Sequence, residues 1–263
     1  MLFRSIVRRF SAPADIEVAG LAVSSIGYGG AGLIRRGAED ILSRIGGSPA
    51  EFTANATLRE AFARFEGFRH RWTDGADIAL LFLAAGGMIR EYGSIGAFVN
   101  AVDDPTDDTI GTALTRFAGW FRGRCGELAR EAGIPPREPF IIPSPADGSA
   151  CKRPAMYFRW MARGPDDVDF GIWTFLSPSR LVVPVDRHMA RMAVRLGLTR
   201  RKNADWRMAL DITRGLRELD PADPLRYDFA LVRPGIVRSC APGKTGRRAS
   251  CALGDVCREA ACE

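Results

Sequence analysis

Apolar residues recur along this chain mainly at three- and four-residue spacing, and strand-like alternation is scarce. That pattern predicts helices over 15–26, 33–45, 58–65, 77–92, 94–102 and 109–124. The first is read as amphipathic, beginning at Asp15 and closed by Gly27, Gly29 and Gly30. The segment 77–92 is mostly apolar and predicts a buried helix. Residues 134–148 carry five prolines and exclude a helix interior. A helix resumes over 150–163 and is broken by Gly164-Pro165-Asp166-Asp167. A connection then leads into Val182-Val183-Pro184-Val185-Asp186, where Asp186 is a natural N-cap for a helix over 187–196, closed by Gly197. Helices over 204–219 and 224–232 follow. The tail, 238–263, is rich in Gly, Arg and Cys and has no periodicity. The sum is an all-α protein without internal repeats.

Composition narrows the class. The 263 residues are 46% apolar and 26% charged, ordinary for a globular chain able to bury a core. The longest uncharged apolar run, Ile78 to Ile89, is too short to cross a bilayer, which excludes a transmembrane protein. The Met-Leu-Phe-Arg-Ser start has no long apolar segment after its charges, so no signal peptide is expected and a cytoplasmic location is. Of the 37 basic residues only Lys152, Lys202 and Lys244 are lysine, and arginine does not give up its proton to become a nucleophile. Residues 1–150 carry a net charge of −2 and residues 151–263 one of +8. A basic half of that kind points to a polyanionic partner.

Two separated elements carry candidate chemistry. In Gly148-Ser149-Ala150-Cys151-Lys152 a glycine-containing turn enters a helix, and the lysine sits on its first turn. Free backbone N–H groups gather there and make a phosphate cradle. The positive end of the helix dipole is an electrostatically poor place for a plain surface lysine, which favours a functional one. In Val182 to Met189 an apolar stretch delivers Asp186 to a helix start, where the ordinary role of an aspartate is structural capping.

Taken in order, the two elements resemble the helix-hairpin-helix, glycine/proline-rich, aspartate (HhH-GPD) superfamily of base-excision DNA glycosylases. Gly148 and Lys152 match the family's hairpin glycine and lysine, and Ala150 replaces its second glycine. Val183-Pro184-Val185-Asp186-Arg187-His188-Met189 is similar to the later signature, in the form seen in 8-oxoguanine glycosylases. Cys151-Lys152-Arg153, Phe158-Arg159-Trp160-Met161 and the stretch from Asp223 to Leu231 resemble a bacterial branch of the superfamily whose function is unknown. The step from Lys152 to Asp186 is longer than the family's, through a segment over 164–180 that includes Trp173 and is a candidate loop against the site.

The resemblance implies two helical subdomains with a cleft between them: 1–27 with 181–238, carrying the aspartate, and 28–180, ending in the hairpin lysine and the insertion. It implies a monomeric DNA glycosylase with AP lyase activity, acting on double-stranded DNA with an oxidised, 8-oxoguanine-like base and touching no membrane. Lys152 would be the nucleophile and Asp186 the stabiliser of positive charge on the sugar. Gly148, Ser149 and Ala150 would hold a phosphate, and His188 would bond or face one. The damaged base must leave the stack, and Tyr28, Trp160 or Trp173 would pack on it.

The last expectation concerns the tail over 239–263. Cys240, Cys251 and Cys257 look like the first, third and fourth ligands of the [4Fe–4S] cluster with which some members end, Arg248 stands where the second would be, and Cys262 would supply a replacement; four thiolates suit Fe–S or zinc. Lys244, Arg247 and Arg248 lie between the first two cysteines and would meet DNA phosphates. Two other classes are consistent with these residues: a non-catalytic nucleic-acid-binding module on the same fold, and a metal-sensing protein led by its tail.

Overall fold

The computed structural model describes residues 4–137, 141–236, 253, 256 and 257. Twelve α-helices and one short hairpin make up the regular structure among these residues. After α1 (Arg4–Val7), helix α2 (Pro13–Ser25) is the central post of the molecule. Every residue from Ile16 to Ser25 is buried, so α2 is enclosed on all sides rather than amphipathic. Its helical turns begin at Pro13, two residues before Asp15, because proline suits the first turn of a helix. Asp15 instead reaches outward and accepts from the Ser48 hydroxyl and the Ala50 N–H, pinning the next helix pair.

Helices α3 (Ala31–Ile45), α4 (Pro49–Asn55) and α5 (Leu58–Arg64) follow. The sequence pattern passed over α4, which is short, although Ser48 caps it by accepting from the Glu51 N–H. The hairpin of β1 (Arg69–His70) and β2 (Thr73–Asp74) was likewise not expected. Two residues per strand leave no alternation to read. Asp74 then caps α6 (Gly75–Tyr92), a mostly buried helix closed by a reciprocal capping box with Asp77. Helix α7 (Ile95–Val102) is capped from inside the core. Glu17 of α2 accepts from the N–H groups of Ile95 and Gly96 and from the indole of Trp173, and burial raises its pKa. Helix α8 (Gly111–Glu131) runs two turns beyond its expected end, because Cys125, Leu128 and Ala129 extend the buried face of Phe117 and Phe121.

Helices α9 (Lys152–Ala162), α10 (Arg187–Arg195), α11 (Trp206–Leu219) and α12 (Asp228–Ile236) complete the fold. Helix α9 packs on α2, α10 packs on α12, and α11 packs on the 3₁₀ turn Pro224–Tyr227. One contiguous apolar core joins all these elements. No single helix among the described residues is long and apolar enough to cross a membrane.

The segment 164–180 is anchored to this core through Asp169, Trp173 and Leu176 and does not border the site. Phe170 and Trp173 donate their backbone N–H groups to the carbonyls of Trp160 and Met161 at 2.7 and 2.8 Å. Trp173 is buried edge-on against Tyr157 and Phe158. A chain of ion pairs fastens the segment. Arg159 of α9 and Arg163, which caps its C-terminus, both bind Asp169, Arg159 also binds Asp228 of α12, and Arg163 also binds Asp223.

Candidate functional site

The site is built where the start of α9, the start of α10 and the turn after α2 converge. The chain approaches α9 through a 3₁₀ turn, Pro145–Asp147, ended by Gly148 at φ 73°. That left-handed conformation favours glycine, and the Gly148 N–H closes the turn on the Pro145 carbonyl at 2.9 Å. Cys151 follows at φ 49°, ψ 31°, an uncommon conformation for a residue with a side chain, and α9 begins at Lys152. Helix α11 braces this turn: Trp206 donates its N–H to the Gly148 carbonyl, and Ser149 pairs with Asp205 in an isolated bridge. The element before the lysine turn is thus a 3₁₀ turn, and α8 ends well upstream at Glu131.

Asp186 reaches the same point from the other side. Its Oδ1 caps α10, accepting from the N–H groups of His188 and Met189 at 2.8 and 2.9 Å. That leaves Oδ2 facing the Lys152 Nζ at 3.8 Å. The amine also donates to the Gly27 carbonyl at 3.1 Å, in the turn that ends α2. Both side chains are about one-third exposed, at 32% and 29%, so the pair is reachable from solvent yet oriented by backbone on both sides. Gly27 has no room for a Cβ, which would lie 2.7 Å from the Met156 methyl and 2.8 Å from the Ser24 carbonyl.

The pair opens into a cavity of about 750 Å³. Val185, Ala190, Val194 and Met208 give it an apolar wall, and Tyr28 and Trp72 give it an aromatic one. Five cationic side chains border it, Lys152, Arg153, Arg187, Arg191 and Lys202, against the single carboxylate of Asp186. Arg153 lies over the Tyr28 ring at 5.1 Å, and burial pushes its pKa down to about 10. Cys151 also lines the cavity. Its thiol is buried, donates to the Ser149 and Pro143 carbonyls, and is pushed up to about 12 by burial. Burial thus disfavours the thiolate of Cys151.

Lys152, Asp186, Ser149, Ala150 and Tyr28 all line this cavity, although they come from distant parts of the chain. Gly148 shapes the turn from behind. His188 stands beside the cavity on α10, its Nδ1 accepting from Arg191 Nη2 at 3.2 Å, so it orients a rim arginine. Trp160 and Trp173 are corrections. They are 1% and 2% exposed, belong to the core, and do not border the cavity. The reason is that α9 is buried from Pro154 to Ala162, so two turns beyond Lys152 every side chain faces the interior. Lys244, Arg247, Arg248, Cys240, Cys251 and Cys262 lie outside the described residues, and Cys257 is described as a partly exposed free thiol. Among the described residues no group of three or more His, Cys, Asp or Glu could hold a metal ion.

Sequence reasoning missed Trp72, Arg153, Arg187, Arg191 and Lys202. Arg187 and Arg191 carried a usable signal, since residues four apart after a capping Asp186 share a helix face. Trp72 carried only its setting, a tryptophan in a polar, arginine-flanked turn.

Fold and cavity together define a predominantly helical protein with an amine–carboxylate pair on the lining of a basic, aromatic-walled pocket. The family described as "Protein of unknown function (DUF2400)" matches residues 4–237, and the chain belongs to it. No curated protein and no solved structure matches the chain.

Proposed function

We propose that this protein is a DNA glycosylase with AP lyase activity, of the HhH-GPD kind, that removes an oxidised base resembling 8-oxoguanine. The observation that carries the reading is the Lys152–Asp186 approach of 3.8 Å on the lining of a cavity bordered by five cations. A volume of about 750 Å³ lies within the range of small-ligand pockets and accommodates an extruded nucleotide. The cations suit the phosphates that flank it.

In this reading the Lys152 lone pair, freed when the ammonium gives up a proton, forms a bond to C1′ of the sugar. The C1′–base bond breaks, its electron pair leaves with the base, and the base takes up a proton. The nitrogen loses a further proton, its lone pair opens the C1′–O4′ bond, and O4′ takes up a proton, which gives the protonated protein–DNA imine. Removal of a C2′ proton then expels the 3′ phosphate and cuts the strand. Asp186 keeps Oδ2 free to stabilise positive charge at the sugar because Oδ1 is committed to the helix cap. The Gly27 carbonyl holds the amine in place.

Borohydride reduction tests this on duplexes carrying an oxidised base. A covalent protein–DNA adduct is expected with the wild type and lost in Lys152→Gln. Base release should fall by roughly a hundredfold or more in Asp186→Asn. Absence of an adduct with the wild type overturns the mechanism. An undiminished adduct in Lys152→Gln, removed instead by Lys202→Gln, moves the nucleophile to the other lysine of the cavity.

The rim supports a second reading, a binding module without chemistry. Arg187, Arg191 and Lys202 would hold a nucleic acid without using Lys152 or Asp186. In that case binding survives Asp186→Asn and no base is released from any duplex.

A further inference from the structure

The hairpin between α5 and α6 ends in a two-residue loop, Arg71-Trp72, with His70 paired to Thr73. Such loops favour glycine or asparagine where φ is positive. Here Arg71 holds φ 56° and keeps its side chain. Trp72 is 68% exposed, although an indole gains free energy by burial. It is the most exposed large apolar side chain among the described residues, and it stands on the wall of the cavity that holds Lys152 and Asp186.

The ring is held ready. Trp72 lies parallel to Tyr28, with ring centres 5.9 Å apart and planes 9° apart. Tyr28 is itself fixed, its phenol bonded to the His70 carbonyl at 2.9 Å and to the Thr73 hydroxyl at 2.7 Å. The Arg71 guanidinium lies 4.4 Å from the Trp72 ring centre, and Arg153 lies over Tyr28. Two cations and two rings thus cluster together, Arg71 and Trp72 on the hairpin and Tyr28 and Arg153 on the cavity wall with Lys152. Every member offers a flat surface or a positive charge, which is the chemistry that binds unstacked nucleobases and their phosphates.

We propose that the Arg71–Trp72 loop is a second nucleic-acid contact, in which Trp72 stacks on an unpaired nucleobase next to the nucleotide in the cavity. Arg71 leaves the indole to meet a backbone phosphate when the base arrives, since its guanidinium occupies a position against the ring that the base would take. The proposal rests on the reading of the cavity as a nucleic-acid site, and goes beyond it by assigning to the hairpin the recognition of unpaired bases.

The test compares two duplexes, one intact and one with a single tetrahydrofuran abasic site that leaves the opposite base unpaired. Affinities are measured by fluorescence anisotropy, and tryptophan emission is followed in parallel. The wild type should prefer the abasic duplex, and Trp72→Ala should lose roughly tenfold on it while keeping its affinity for the intact one. Made in a Trp206→Phe background, Trp72→Phe should keep most of the preference and lose the emission quenching, because Trp160 and Trp173 are buried and Trp120 packs on Tyr92 and Phe98 away from the cavity. Arg71→Ala should weaken both duplexes alike. If Trp72→Ala retains the full preference, or Trp72→Phe is quenched like the wild type, the hairpin proposal falls. Borohydride trapping through Lys152 then still stands on its own. Failure of the wild type to bind either duplex overturns the cavity reading and the hairpin proposal together.

Discussion

His70 shows how one side chain sets a wall of the cavity. It is 1% exposed, its Nε2 donates to the Tyr28 carbonyl at 3.0 Å, and its own carbonyl receives the Tyr28 phenol. Tyr28 is thereby held by one residue at both ends. Burial lowers the His70 pKa, and the charge of Arg71 lowers it further, against the raising effect of its backbone hydrogen bonds. The sign of the pH effect follows from this. Below the ordinary value of 6.5 the unfolded chain takes up a proton that the folded one refuses. The contribution of His70 is thus complete above that pH and is lost as pH falls from 6.5 toward the lower folded value. Urea midpoints of the wild type should drop between pH 7.5 and 5.5 by more than those of His70→Gln. Equal drops would show that His70 does not carry the effect. At this scale Lys152 and Asp186 were legible because each stands in a local motif, a turn entering a helix and a cap. Trp160 lies in the core and not against a base, because the presence of an aromatic side chain in a helix does not tell which faces of that helix are covered.

At the scale of elements, most helices followed from apolar spacing, and the departures share a cause. Helix α2 is enclosed on every side and α9 nearly so, and an enclosed helix carries no stripe that reveals its orientation. The same limit hid the fate of the 164–180 segment, whose position depends on Arg159 and Arg163 meeting Asp169 nearby and Asp228 and Asp223 69 and 60 residues away. Asp169 is the centre of that clasp. Its Oδ2 accepts from Arg159 Nε at 3.1 Å and Arg163 Nη1 at 2.8 Å, with no side-chain exposure. Asp169→Ala should cost about 1–3 kcal/mol, because two largely buried guanidinium groups each lose one partner while Asp228 and Asp223 still hold them. Chemical denaturation measures this, and a loss below about 1 kcal/mol would show that the clasp is not what holds the segment. The refolded variant should keep whatever borohydride-trapped adduct the wild type forms, since no residue of 164–180 borders the cavity.

At the scale of the whole molecule, the basic half seen in the sequence acquires a location. All five cations of the cavity, Lys152, Arg153, Arg187, Arg191 and Lys202, belong to the half with net charge +8. The sign of the patch was therefore legible, but its shape was not. The turn before α9, the first turns of α10 and the loop before α11 come together only through tertiary packing. A rim of this kind binds a polyanion by releasing its counterions, so affinity should fall linearly with log salt. The three rim residues outside the proposed chemistry, Arg187, Arg191 and Lys202, separate this term from catalysis. Each one neutralised should reduce the slope of log affinity against log salt by about 0.9 if it faces a phosphate of duplex DNA. The double variant Arg187→Gln, Arg191→Gln should therefore lose nearly two from the slope while borohydride trapping at saturating DNA persists. An unchanged slope would mean that the phosphates run elsewhere on the surface. The cavity would then admit a small ligand from solvent rather than a nucleotide still attached to its strand.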